Sequence, residues 1–219
     1  MEQNAESASL GNLERFTNLQ ELDISGAYGQ DGPNWRQNRD ISVKSFNRAT
    51  FELKKLTLEN LTGCLKYLEP HVVCNLEELN VLGRGGESGR VDWKSLQNLW
   101  SKLPNLTRLE LDFWYMDDSA LIGPTKETSI TNCKKLHSLT LNLKNCDKIV
   151  PILKFPNLRY LELKISTSVS NENVKSLARS NPRMESLNLH GPITVAVLPY
   201  ASEKTGHLTN LEKTSYLRN

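Results

Sequence analysis

Apolar residues recur along this chain in the order L-x-x-L-x-L. The first copy is Leu19-Gln20-Glu21-Leu22-Asp23-Ile24; others begin at Leu53, Leu76, Leu106, Leu136, Leu158 and Met184, with a degenerate eighth at Leu211. First positions lie 22 to 34 residues apart, about 27 on average. The register extends upstream of the leucines. Phe16, Leu103, Cys133, Phe155 and Leu208 stand three residues before a first position, and Asn18, Asn75, Asn105, Asn157 and Asn210 stand one before it. Random leucine pairs would not bring matched flanking residues with them, so the pattern is an internal repeat.

Side chains alternate along a strand, so the fourth and sixth motif positions share one face and the third, fifth and seventh the other. Leu22, Leu56, Leu79, Leu109, Leu139, Leu161 and Leu187 are expected to be buried, each covered by neighbouring units because one unit cannot cover its own leucines. Between the strands, Trp93, Leu96, Trp100 and Leu103 fall at helical spacing over 91–103, and Pro104 ends the run. A second helix is expected over 171–178, with Val174, Leu177 and Ala178 inward and Ser170 or Asn171 as N-cap. Weaker helical spacing covers 65–72, 147–153 and 195–201. Residues 1–15 are expected to form an N-terminal cap or partial repeat, 16–216 one repeat domain of about eight units, and 217–219 a tail.

Leu103-Pro104-Asn105-Leu106-Thr107-Arg108-Leu109-Glu110-Leu111 and Phe155-Pro156-Asn157-Leu158-Arg159-Tyr160-Leu161-Glu162-Leu163 carry a resemblance to the leucine-rich-repeat family. The chain most resembles its irregular ribonuclease-inhibitor-like branch and the repeat regions of F-box proteins. The resemblance implies an α/β fold: a right-handed solenoid or horseshoe with a parallel concave sheet and helices or irregular connectors on the convex side. It also implies non-catalytic protein recognition, as in substrate selection by an F-box-type ubiquitin ligase. Alternatives of the same kind are regulation or inhibition of an enzyme, including a GTPase, and an assembly scaffold. A Skp1-type adaptor would be a partner only if an F-box lies outside this chain. Where the family usually has Asn or Cys, three residues after the third apolar position, this chain has Ala27, Leu61, Arg84, Trp114, Lys144, Ser166 and Pro192. An asparagine ladder is therefore not expected, and the repeats are divergent.

Composition narrows the class. With 24% charged and 38% hydrophobic residues and a net charge of +2, the chain suits a folded domain and lacks the basic excess typical of nucleic-acid binding. Cys64, Cys74, Cys133 and Cys146 form no C-x-x-C pair, which fits reduced core thiols in the cytoplasm or nucleus. No apolar run suggests a signal peptide or a membrane span.

Candidate chemistry is sparse. The glycine-rich stretch Gly83-Arg84-Gly85-Gly86-Glu87-Ser88-Gly89 lacks the Lys of a phosphate-binding loop and reads as a connector. His71, His137, His190 and His207 occupy different units at unequal register, so no catalytic, metal or cofactor site is expected. The informative surface is the third-, fifth- and seventh-position face, where Glu21, Asp23, Glu59, Glu78, Glu110, Asp112 and Glu162 outnumber Lys55, Arg108 and Lys164. An acidic face would attract a protein partner with a basic surface. The plain alternative is that exposed strand positions are simply polar. Phe113 and Tyr115, in the Phe-Trp-Tyr cluster, are expected aromatic contacts together with Tyr160 and with Trp35 in the long connector after the first motif.

Overall fold

The computed structural model describes residues 16–25, 52–59, 68–83, 90–91, 99–113, 115–116, 133–143, 154–165, 170–191 and 210–214. In chain order its strands are β1 (Glu21–Ser25), β2 (Lys55–Glu59), β3 (Glu78–Gly83), β4 (Arg90–Val91), β5 (Arg108–Phe113), β6 (Tyr115–Met116), β7 (Ser138–Leu143), β8 (Tyr160–Ile165), β9 (Ser186–His190) and β10 (Asn210–Thr214). The two short strands, β4 and β6, pair with each other, and the other eight form one sheet in which each strand pairs with the next along the chain. Every pairing is parallel.

The motif dictates this register. Leu22, Leu56, Leu79, Leu109, Leu139, Leu161 and Leu187 occupy one continuous row of paired residues. From Leu56 onward all are buried, while Leu22 on the edge strand β1 is only partly buried. The expectation of full burial therefore fails at β1, which has a sheet neighbour on one side only. First positions Leu53, Leu76, Leu106, Leu136, Leu158 and Met184 are buried too, so each unit contributes three apolar side chains to a common core. Burying one such side chain is worth about 1.5–3 kcal/mol.

The eighth unit departs from the sequence reading. Leu211 pairs with Leu187, a fourth position, so the last motif starts three residues upstream of where its leucines suggest, and Lys213 takes the apolar sixth position opposite Leu189. The Leu and Asn three and one residues before Leu211 imitate the flanking register and disguise the shift.

Strand starts are built alike. The N–H of each first-position residue donates to the carbonyl three residues earlier, in Leu76 to Val73, Leu106 to Leu103, Leu136 to Cys133, Leu158 to Phe155 and Met184 to Asn181. Pro104, Pro156 and Pro182 sit second in three of these turns, where a fixed φ favours the bend. One residue further on, the second-position carbonyl accepts two consecutive N–H groups from the following unit. Gln20 receives Lys54 and Lys55 at 2.8 and 3.0 Å, and Lys54, Glu77, Thr107, His137 and Arg159 repeat the arrangement.

At the residue before the first position, asparagines link neighbouring turns in two places. Asn105 Nδ2 donates to the Cys74 carbonyl at 2.9 Å and Asn157 Nδ2 to that of Lys134 at 2.6 Å. Lys135 and Arg183, at the same position of the next units, donate to Asn105 Oδ1 and Asn157 Oδ1 at 2.8 and 2.6 Å. The family's usual ladder position lies outside the described residues.

Helix α1 (Pro70–Val73) starts on a proline and buries Val72 and Val73, the described part of the expected 65–72 helix. Of the expected 91–103 helix, Leu99 and Trp100 are helical and buried, whereas Val91 belongs to β4. Helix α2 (Asn171–Ser180) matches its expectation. Ser170 caps it by accepting from the Asn173 N–H at 3.1 Å, and Val174 and Leu177 are buried. The expected helices over 147–153 and 195–201 lie outside the described residues. At the end of α2 the buried Asn181 accepts from the Phe155 N–H at 2.8 Å and donates to the Leu177 carbonyl at 2.8 Å, tying β8's turn to the helix. Gly191, at φ 141°, ends β9 in a region where glycine alone is at ease.

Two stability predictions follow from this core. Leu139→Ala should cost about 2–5 kcal/mol in a urea titration, and the adjacent half-exposed Thr140→Ala less than about 1 kcal/mol; equal losses would show the two faces to be misassigned. Asn181→Ala strands the buried Phe155 N–H, while the Leu177 carbonyl keeps the backbone N–H of residue 181 at 3.1 Å, so it should cost about 1–3 kcal/mol and more than the half-buried change Asn157→Ala.

Candidate interaction face

Strand pairing sets the polar motif positions into three parallel rows across the sheet. The first runs Glu21, Lys55, Glu78, Arg108, Ser138, Tyr160, Ser186; the second Asp23, Thr57, Asn80, Glu110, Thr140, Glu162, Asn188; the third Ser25, Glu59, Leu82, Asp112, Asn142, Lys164, His190. Neighbouring strands lie about 4.8 Å apart and alternate residues of one strand about 7 Å apart. Nine of the twelve expected contact residues are therefore brought together: Glu21, Asp23, Glu59, Glu78, Arg108, Glu110, Asp112, Tyr160 and Glu162.

Charges on this face are compensated unevenly. Lys55 Nζ lies 3.8 Å from Glu78 Oε2 across β2 and β3. Glu162 Oε1 takes two partners, Lys164 Nζ at 3.2 Å and His190 Nε2 at 3.3 Å. These pairs are partly exposed, and each is worth at most about 1 kcal/mol. Glu110 and Asp112 have no ion pair among the described residues. Asp112 Oδ1 and Asn80 Oδ1 are buried atoms that receive no hydrogen bond, and the Asn80 amide donates instead to Thr57 Oγ1 at 3.4 Å.

The aromatic expectations separate. Tyr160 is 57% exposed and stands between Ser138 and Ser186 in the first row. Phe113 ends β5 in register with Gly83 and Leu143, at the parity of Leu109 and Leu111, so it does not belong to the polar rows. Tyr115 lies in the small sheet, paired with Arg90, and Trp35 lies outside the described residues. Sequence reasoning gave Phe113 weight for its aromatic neighbours when its even motif position already assigned it to the leucine side. Asn80 went unremarked, since nothing in the motif marks a fifth-position amide as unusual.

Elsewhere, a shallow groove of about 370 Å³ follows the strand starts, lined by Glu52, Lys54, Asn75, Glu77, Asn105, Thr107 and Lys135. Its charges balance, and Lys54 and Glu77 face each other at 3.9 Å. His71 and His137 are exposed. Among the described residues no three His, Cys, Asp or Glu side chains form a metal-binding group, and no described helix is long and apolar enough to cross a membrane. Cys133 is buried, its Sγ directed at the Trp100 carbonyl 3.7 Å away. Burial pushes this thiol up to about 12, the opposite of what a nucleophile needs.

No protein-family model matches the chain, and no curated protein matches it either.

Because the folded Cys133 thiol holds its proton up to about pH 12 while an unfolded one, at 9.0, does not, the folded state binds more protons between these values. The contribution of this thiol to stability is thus complete below pH 9 and falls as pH rises towards 12. The unfolding free-energy difference between the native protein and Cys133→Ala should shrink over that interval, and a difference independent of pH would refute the assignment.

Proposed function

We propose that this chain is a non-catalytic protein-recognition module whose polar sheet face is the contact surface. The observation that carries the reading is the set of three polar rows across successive parallel strands, which from β1 to β9 hold seven carboxylates against three Lys or Arg side chains and an exposed tyrosine. Such a face offers charge for steering and an aromatic for anchoring, the two ingredients of a protein interface. In this reading the repeats form a right-handed leucine-rich-repeat solenoid with the polar rows on its concave side. Parallel crossovers are right-handed in about 98% of cases, and units bulkier at the back than at the strand curve the stack.

The motif resemblance suggests a place for the module, the presentation of substrates in an F-box-type ubiquitin ligase in the cytoplasm or nucleus. Affinity purification of the full-length protein tests this directly. Skp1 and cullin peptides support the ligase reading, whereas a single enzyme or GTPase in their place supports a regulator.

Recognition through the face makes a kinetic prediction. Reversing Glu110 and Asp112 to Lys should slow association and flatten its salt dependence, because such charges act chiefly on the on-rate. Tyr160→Ala should instead raise the off-rate and cost at least about 2 kcal/mol of binding if the ring is an anchor. Surface-plasmon-resonance traces separate the two, and unmodified rates in both folded variants would exclude the face.

A further inference from the structure

The rim formed by the strand starts carries its charge at one end. In the units of β1, β2, β3 and β5 the described rim residues, 16–20, 52–54, 72–77 and 102–107, hold Lys54 and Lys102 against Glu52 and Glu77. In the units of β7, β8 and β9 the corresponding residues, 133–137, 154–159 and 180–185, hold Lys134, Lys135, Lys154, Arg159 and Arg183 against Glu185. All five cations are exposed. Arg159 faces Glu185 at 3.6 Å, and the other four form no ion pair among the described residues.

Two of these cations are held in place with their charge uncompensated. Lys135 Nζ donates to Asn105 Oδ1 at 2.8 Å and Arg183 Nη1 to Asn157 Oδ1 at 2.6 Å, so each is tethered by a neutral amide and not by a carboxylate. An ammonium has three N–H donors and a guanidinium five, which leaves most of them for another acceptor. Asn157 in turn donates to the Lys134 carbonyl at 2.6 Å, joining the two ends of the basic stretch. The units of β7 and β9 lie two strand spacings apart, about 10 Å, the length of about three extended residues.

An exposed ring stands beside this rim. Tyr160 directly follows Arg159 and is 57% exposed, and the N–H groups of both residues share the His137 carbonyl. Its row neighbours, Ser138 and Ser186, are too short to cover it. From β7 to β10, where Asn210 completes it, this first row carries no charge. Carboxylates begin in the second row, at Glu162, which Lys164 and His190 engage, and at Glu212.

We propose that the strand-start rim of the β7, β8 and β9 units docks an acidic, extended segment of a partner protein. Its carboxylates lie along Lys135 and Arg183, and an adjacent aromatic or aliphatic side chain covers Tyr160. Tethered cations and a two-torsion tyrosine lose little freedom on binding. A polypeptide can place its negative charges on the rim and none over the sheet. A nucleic-acid strand, with a phosphate at every residue, would also meet Glu185, Glu162 and Glu212. This inference rests on the recognition reading through Tyr160, and adds to it a second contact of opposite sign from the acidic rows of β1, β2, β3 and β5.

Fluorescence anisotropy of labelled twelve-residue peptides against the intact protein tests it, with Glu/Gly/Ser carrying one Phe, Glu/Gly/Ser without Phe, and dodecathymidylate, at low and physiological salt. The Phe-bearing acidic peptide should bind most tightly. Lys135→Gln with Arg183→Gln should weaken it at least about tenfold at low salt, and Lys134→Gln with Lys154→Gln at least about threefold. The second pair makes no side-chain bond among the described residues, so a folded variant remains if the first does not fold. Lys54→Gln, on the balanced end of the rim, should change binding less than about twofold. Tyr160→Ala should weaken the Phe-bearing peptide at least about threefold and leave the other unchanged. Equal weakening by Lys54→Gln reveals a response to net charge alone and overturns the proposal. So do dodecathymidylate binding as tight as that of the Phe-bearing peptide and an equal effect of Tyr160→Ala on both peptides. If no acidic peptide binds while Glu110→Lys with Asp112→Lys releases a captured partner, the rim falls and recognition through the sheet face stands. Acidic-peptide binding that is lost with Lys135 and Arg183, in a full-length protein that retains no partner, leaves the rim site and removes the recognition reading.

Discussion

The constraint on which this structure depends is that no unit can cover its own leucines. Each unit from β1 to β9 supplies a strand of five or six residues and three apolar side chains, and both need the unit alongside. The doubly used carbonyl at the second motif position is the joint where that dependence is met. It accepts two N–H groups from the next unit, and so sets the strand register before the leucines meet. Once that register is in place, leucine lands on leucine along the whole sheet, and the polar rows follow as its mirror image on the other face.

Much of this was legible in the sequence because alternation is a local property. A strand pairing one residue out of step would put every leucine in water, so L-x-x-L-x-L specifies the pairing as well as the face. What the pattern could not convey is context at the ends of the array. Leu22 has the same motif position as Leu139 and a different environment, because β1 has one sheet neighbour and β7 has two. The eighth unit was misaligned because Leu208 and Asn210 mimic the flanking pattern of a motif starting at Leu211, and only pairing with β9 shows them to be its first and third positions. The asparagines before the first positions were visible as a column of letters, but the use of Asn105 and Asn157 depends on where the preceding turn's carbonyl points.

The candidate site was legible as a list and not as a distribution. Counting motif positions yields the acidic excess. Knowing that Glu162 is shared by Lys164 and His190, and that Lys55 is held by Glu78, requires side-chain geometry. Those pairings are energetically slight, yet they decide where on the sheet an electric field survives. The aromatic expectations divide for a related reason: Phe113 falls in register with Gly83 and Leu143 and Tyr115 pairs in the small sheet, while Tyr160, alone in its stretch, is an exposed ring in the polar rows.

The partial burial of Leu22, together with the 54% exposure of Phe16, makes β1 less secured than the interior strands β2 to β9. In a one-dimensional array, opening a terminal unit breaks one interface and opening a central unit breaks two. Amide exchange is accordingly expected to slow from β1 inward. The same strand carries Glu21 and Asp23 of the polar rows, so a partner bound across those rows would span this edge joint. Binding and local order are then thermodynamically linked: occupancy slows the exchange of β1 amides, and any change that loosens β1 is felt as lost affinity with no contact residue altered.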